Sequence, residues 1–244
     1  MATNDPLDLR LSERRLFAAV AFVFALIMIV GFARTYYLKF AFGTPPLPGL
    51  LVHAHGVLMT AWILFFIAQV WLIRSKRHAV HMRNGMIGIA LAIAIFFVGF
   101  FTAVAAAKNG SNSTPPGVAP LAFLVVPFFD MVLFALLFGA AIYYRKHAAN
   151  HKRLLLLTVL NFLPPGLGRF PFEPFISAGP LMFFGIPAVL AIGLLIYDTW
   201  RNKKLNKVFL VGSIVLIASY PLRIMFSTTD VWMRFATWLT TWAA

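Results

Sequence analysis

Seven long apolar stretches alternate with short polar runs along the chain, near residues 16–35, 50–73, 84–107, 118–144, 153–169, 179–199 and 207–227. A helix needs about 20 mostly apolar residues to cross the hydrocarbon core of a bilayer. Each stretch therefore predicts a membrane span, the fifth only just. Two further helices are expected outside them. Residues 5–15, with Asp5, Asp8, Arg10, Glu13, Arg14 and Arg15, have the make-up of a short amphipathic helix on the membrane surface. Near the other end, Thr229 and Asp230 are placed to cap a helix that carries Trp232, Phe235, Trp238 and Trp242 along one side. Trp favours the membrane–water boundary, so this helix is expected to lie flat on the outer surface. The fold class is all-α: a polytopic transmembrane bundle of about seven helices. Its parts are a polar segment over 1–15, a membrane domain over 16–227 and an interfacial amphipathic helix over 228–244.

Composition removes the soluble alternative. The chain is 61% hydrophobic and 11% charged, against about 45–50% and 25% for soluble domains. The net charge of +14 sets an orientation. Of 21 Lys and Arg residues, 15 fall at the N-terminus or in every second loop and six on the opposite side. Basic loops stay cytoplasmic, which gives an N-in, C-out bundle. The clusters flank apolar spans and suit anionic lipid head groups, so membrane lipids and not nucleic acids are the expected partners. The first apolar run ends in Gly31, Phe32, Ala33 and Arg34 with no small-residue cleavage site, which reads as a retained span. The chain has no cysteine, which excludes disulfides, thiolate metal sites and a cysteine nucleophile. The loop from Lys108 to Gly117 holds two N-x-S/T patterns, at Asn109 and Asn112, and reads as an exposed connector.

The candidate chemistry sits in the outer halves of the spans. Asn161, Pro164, Pro165, Gly166 and Gly168 interrupt the fifth span. Pro164 and Pro165 cannot donate to the carbonyls of Leu160 and Asn161. Backbone freed inside a membrane must meet protein or a water-lined cavity, so the break is expected to face the bundle interior. At about 1.5 Å per residue, Asp130 lies roughly 18–21 Å from the cytoplasmic end of its span, Arg169 and Arg223 near 22 Å, and His55 near 27 Å. Ionisable groups within a span are costly and turn inward. This shared height predicts an ion pair between Asp130 and Arg169 or Arg223, leaving the other Arg to hold a carboxylate or phosphate. His53 and His55 stand two residues apart and point away from each other on a regular helix. Gly56 beside them permits a close neighbour. The expected ligand-binding set is His53, His55, Asp130, Asn161, Arg169 and Arg223.

The other histidines flank basic loops. His78 and His81 are three residues apart, and His147 and His151 four apart. His81 and His151 form the alternative set for haem iron or a metal, on a surface crowded with Lys and Arg that repels a cation. No H-E-x-x-H motif, G-x-S-x-G elbow or Gly-rich phosphate loop is present. No mid-span Lys is placed for a retinal-type Schiff base.

Several motifs together resemble a family of uncharacterised bacterial multi-pass membrane proteins. They are His53-Ala54-His55-Gly56 with Trp62 and Gln69 downstream, His81-Met82-Arg83-Asn84-Gly85, Asp130, His151-Lys152-Arg153-Leu154, Arg169-Phe170-Pro171, Gly179-Pro180 through Phe184-Gly185, Tyr197-Asp198 and Tyr220-Pro221-Leu222-Arg223. The resemblance covers nearly the whole membrane portion and implies a bacterial inner-membrane location, but no activity. A fainter likeness to cytochrome b561-type proteins rests on His53, His55 and His81; the fourth span offers Asp130 where those proteins supply histidine. Three functional expectations follow. The first is an outer-leaflet His/Asp/Arg pocket for an amphiphilic or anionic ligand or cofactor. The second is a non-catalytic accessory subunit partnered by other membrane subunits, and the third a haem- or metal-dependent oxidoreductase.

Overall fold

The computed structural model describes residues 6–110, 114, 115 and 117–242. Asp5 and Asn112 lie outside the described residues. The protein is all-helical, with 84% of its residues in helices and no strand among the described residues. In order these are α1 (Pro6–Phe32), α2 (Leu50–Arg74), α3 (His78–Asn109), α4 (Pro120–Phe123), α5 (Val125–Tyr143), α6 (Ala148–Asn161), α7 (Leu163–Leu167), α8 (Glu173–Ala178), α9 (Pro180–Asn202), α10 (Lys207–Phe226) and α11 (Asp230–Trp242).

Six helical stretches are long and apolar enough to cross a membrane: Leu11–Tyr37, Leu50–Arg74, His78–Asn109, Pro120–Lys146, Pro180–Asn202 and Lys207–Phe226. The fifth expected span is not among them. It is broken at Phe162 into α6 and α7, one residue before the first position where a proline constrains the backbone. Pro164 and Pro165 have no N–H to donate to the carbonyls of Leu160 and Asn161, so the helical ladder ends there. At 14 residues, α6 measures about 21 Å. Its surroundings explain why a short, interrupted helix is tolerated. Every residue from Leu156 to Pro164 is buried, with α5, α9 and α10 packed against α6. Protein, not lipid, surrounds this segment.

Around it α1 packs on α2, α2 on α3, α3 on α5, and α5 and α9 on α10, while α7 joins α1 to α9. The α1–α7 contact is made by glycine. A Cβ on Gly31 would lie 2.2 Å from the Gly166 carbonyl oxygen. The two backbones touch.

One sequence expectation changes. Residues 6–15 do not form a separate surface helix, because α1 runs unbroken from Pro6 to Phe32. Nothing at Arg15–Leu16 interrupts it: neither glycine nor proline stands there. At its far end α1 passes into one π-helical turn, Ala33–Tyr37, closed by the Leu38 N–H donating to Ala33 O at 2.7 Å. In α11, Thr229 caps as expected, its Oγ1 accepting from the Trp232 N–H at 3.3 Å. Trp232, Phe235, Trp238 and Trp242 follow one another along one side, each ring 5.6–5.8 Å from the next, but burial falls along that ladder. Trp232 is buried among Phe128, Phe129, Phe226 and Phe235, and its indole donates to Leu121 O at 2.9 Å. Trp238 and Trp242 are exposed. Residues 232, 236 and 240 face the bundle at helical spacing, so α11 is docked through Trp232.

Candidate functional site

Three of the six candidate residues meet in one buried layer. Asp130 is six residues into α5, Asn161 ends α6, and Arg223 is near the end of α10. Counted at about 1.5 Å per residue from the opposite helix ends, all three lie roughly 20–24 Å along their helices. Arg223 Nη1 donates to Asp130 Oδ1 at 2.5 Å, with side-chain exposures of 1% and 4%. Asn161 Nδ2 donates to the Asp130 backbone carbonyl at 2.9 Å. Asp130 therefore ties α6 and α10 to α5 through its two functional groups.

The layer is not fully satisfied within the protein. Arg223 Nε and Nη2, Asn161 Oδ1 and the Tyr220 hydroxyl are buried with no hydrogen-bond partner among the described residues. Of the guanidinium only Nη1 is used, on Asp130 and, at 3.4 Å, on Val126 O. The edge left over is Nε with Nη2. Its two parallel N–H groups are the fork that matches a carboxylate or phosphate. The face of the guanidinium lies 5.6 Å from the Tyr220 ring and 6.0 Å from the Phe184 ring. These two rings stack at 4.8 Å and form an aromatic wall beside the charge.

The histidines separate as helical phase requires. In α2, regular from Leu50 onward, His53 is exposed and its ring lies 5.9 Å from that of Tyr36. The Tyr36 hydroxyl donates to His53 O at 3.4 Å. Gly56 has its close neighbour here: a Cβ on it would fall 2.3 Å from Tyr36 Cε2. The π-helical turn brings the tyrosine into that space, and Tyr37 shares a 3.0 Å hydrogen bond with Thr60 one turn below. His55 turns the other way, against Gly99 of α3 beside Met131. Its Nδ1 is buried without a partner among the described residues.

Arg169 follows α7. It donates to Pro165 O at 2.7 Å, and its guanidinium lies 4.5 Å from the Phe32 ring. Of the two arginines expected as partners for Asp130, it is Arg223 that makes the ion pair.

Sequence reasoning gave no role to a further set. Trp62 Nε1 and both side-chain polar atoms of Gln69 are buried without partners among the described residues, like His55 Nδ1. Residues 55, 62 and 69 are seven apart, so they line one stripe down α2. The spacing was readable in the sequence; the burial was not. Also unassigned was Arg153 of α6, whose Nε and Nη2 donate to Asp198 Oδ2 and Oδ1 of α9 at 2.8 and 2.6 Å.

Of the alternative metal or haem set, His151 Nδ1 lies 2.7 Å from Ala141 O, a contact that orients the ring with Nε2 outward. His81 Nδ1 is buried without a partner among the described residues. No group of three or more His, Asp or Glu residues has metal-ligating geometry among the described residues.

Comparison with protein-family models, curated proteins and solved structures finds no match for this chain.

Proposed function

We propose that the chain is a seven-span, N-in and C-out protein of the bacterial inner membrane. In this reading α6 and α7 together make the fifth crossing, and the Asp130–Arg223 layer receives the carboxylate or phosphate of an amphiphile in the outer leaflet. The observation that carries it is the unused Nε/Nη2 edge of a buried guanidinium. Leaving a buried donor unsatisfied costs about 1–3 kcal/mol, more where the donor is charged. An anion on that edge supplies two charge-assisted hydrogen bonds. The Tyr220 hydroxyl beside it offers a third donor, and Asn161 Oδ1 accepts from a protonated or hydroxylated head group. Asp130 keeps the Arg charged and aimed, and the Phe184 and Tyr220 rings cover the apolar part of the ligand. A group of this kind binds; the polar set contains no nucleophile paired with a base, so the reading is ligand binding and not catalysis.

The test is thermal unfolding in a neutral detergent with dodecanoate, dodecyl phosphate or dodecanol. At about 100 times its Kd a ligand adds about 2.7 kcal/mol of stability, so the two anions should raise Tm by several degrees and the alcohol should not. The double variant D130L/R223M should lose the response. An equal response to the alcohol, or one that survives the double substitution, refutes the pocket. The haem reading is supported by one observation, the oriented ring of His151 near the entry of α6. A Soret band in the purified protein that is lost in H151A would favour it instead.

A further inference from the structure

Polar side chains are few in the interior, and they are not scattered. Apart from Thr240, the buried polar and charged residues among the described ones are Asp130, Arg153, Thr158, Asn161, Ser213 and Arg223. Three belong to α6 and the others to its neighbours α5 and α10. Such groups are expensive inside a membrane and mark substrate and proton routes.

Together they run the length of α6. At the end bearing the basic loops, Arg153 is clamped to Asp198 of α9, with Phe209 of α10 beside the pair. On α10 the buried face continues from Phe209 through Ser213, Leu216 and Tyr220 to Arg223, steps that stay on one side of a helix. A Cβ on Gly212 would fall 2.5 Å from Leu157 and 3.5 Å from Leu154. Ser213 beside it therefore stands level with the stretch between Arg153 and Asn161. Those two residues are about 12 Å apart along α6, with Thr158 between them. At the far end Asn161 meets Asp130, and Asp130 meets Arg223. Two carboxylate–arginine pairs are thus joined by hydroxyls and an amide.

The joining groups have hydrogen-bonding capacity left. Ser213 Oγ, Asn161 Oδ1 and the Tyr220 hydroxyl have no partner among the described residues. Thr158 Oγ1 donates to Leu155 O at 2.7 Å, which leaves its oxygen able to accept. Buried groups of this kind hold single ordered waters. Leu157, Leu160 and Leu216 are buried around them and crowd out a hydrated ion. A proton needs only hydroxyls and single waters within hydrogen-bond reach. The two ends differ in access: the Asp198 side chain is 15% exposed and that of Asp130 4%, so water meets the line at Asp198. The charged groups around Asp198 are Arg153, Glu13, Lys152 and Arg201. Those facing Asp130 are Arg223 and the Tyr220 phenol.

We propose that this line is a proton path from the end bearing the basic loops to Asp130. A proton on the Asp198 carboxyl passes to water and then to the Ser213 hydroxyl, which releases its own proton onward as it accepts one. Thr158 and water held by Asn161 deliver it to the Asp130 carboxylate. Asp198 is then ionised again, and the Asp130–Arg223 pair is left with one net positive charge. No electron moves and no other covalent bond changes. The path needs no bound anion, so it stands or falls separately from the head-group site.

The test is infrared spectroscopy of the full chain in phosphatidylcholine vesicles, free of anionic amphiphiles, after a downward pH step. The carboxylic acid band that shifts in D130E reports protonation at this position. In S213V the band should rise about a hundredfold more slowly than in the wild type, to the same final height. S213T, which has the same shape and keeps a hydroxyl, should retain the wild-type rate. A packing role for Ser213 would move both variants alike. T158V, also isosteric, should slow the rise as well and decides the matter if neither Ser213 variant folds. Absence of the band at every pH at which the protein stays folded, equal rates in S213T and S213V, or a wild-type rate in T158V overturns the proposal.

Discussion

Replacing Asp130 by Leu removes one charge from a pair whose other member cannot become neutral. Arg223 is 1% exposed at its side chain. Once the carboxylate is gone, its only remaining acceptor among the described residues is Val126 O at 3.4 Å. Stranding a charge of a buried pair costs about 3–5 kcal/mol, and D130L should fall at the upper end. R223M should cost less, near the lower end, because a stranded carboxyl can take up a proton whereas a guanidinium stays charged. The double variant D130L/R223M leaves no charge and keeps the side-chain volume close to the original. Such replacements are about neutral or stabilising by roughly 1–4 kcal/mol. The coupling energy from the cycle should thus exceed about 3 kcal/mol. Urea or SDS unfolding in detergent, followed by circular dichroism, measures all four proteins. A cost for D130L below about 1 kcal/mol, or a double variant less stable than D130L, would refute the reasoning that the pair is dry and mutually dependent.

Gly31→Ala places a Cβ 2.2 Å from a backbone oxygen of Gly166, which no rotamer can relieve, and should destabilise by at least about 1–3 kcal/mol in the same assay. Gly185→Ala meets nothing within 4 Å inside α9 and should instead be neutral or stabilise by about 0.5–1 kcal/mol. For the proposed C-out orientation, a reporter active only outside the cytoplasm should be active when fused after Ala244 and silent when inserted at Ser75.

The spans were legible because apolar length is a local property, and six of the seven expected stretches have it. The fifth was legible as an anomaly, since Asn161 and the prolines announce a break, but its burial depends on α5, α9 and α10. The Asp130–Arg223 pair could be anticipated from height, which counting along a helix gives without knowing the fold. Azimuth is different. His53 and His55 could be separated because two positions on one helix fix their relative phase. Which of Arg169 and Arg223 takes Asp130 could not be read, because one follows α7 and the other lies on α10, and only packing sets how these elements are turned toward α5. The partner of Gly56 was beyond reach as well: the glycine signals a close approach, while Tyr36 arrives through a π-helical turn with no mark in the sequence. Arg153 and Asp198 sit among loop charges and look solvated by composition alone; only the packing of α6 on α9 turns them into a buried pair.

The enclosure of α6 has a consequence for biogenesis. A nascent segment partitions from the translocon into lipid according to its own hydrophobicity, and this one starts at Ala148, carries Lys152 and Arg153 in its second turn and ends at Asn161. Two of the helices that shelter it, α9 and α10, are synthesised after it. Its polar groups therefore have to wait beside the translocon or in a half-assembled bundle until those helices arrive. Chains truncated before Pro180 would present a segment that neither lipid nor water suits, a natural substrate for membrane-protein quality control.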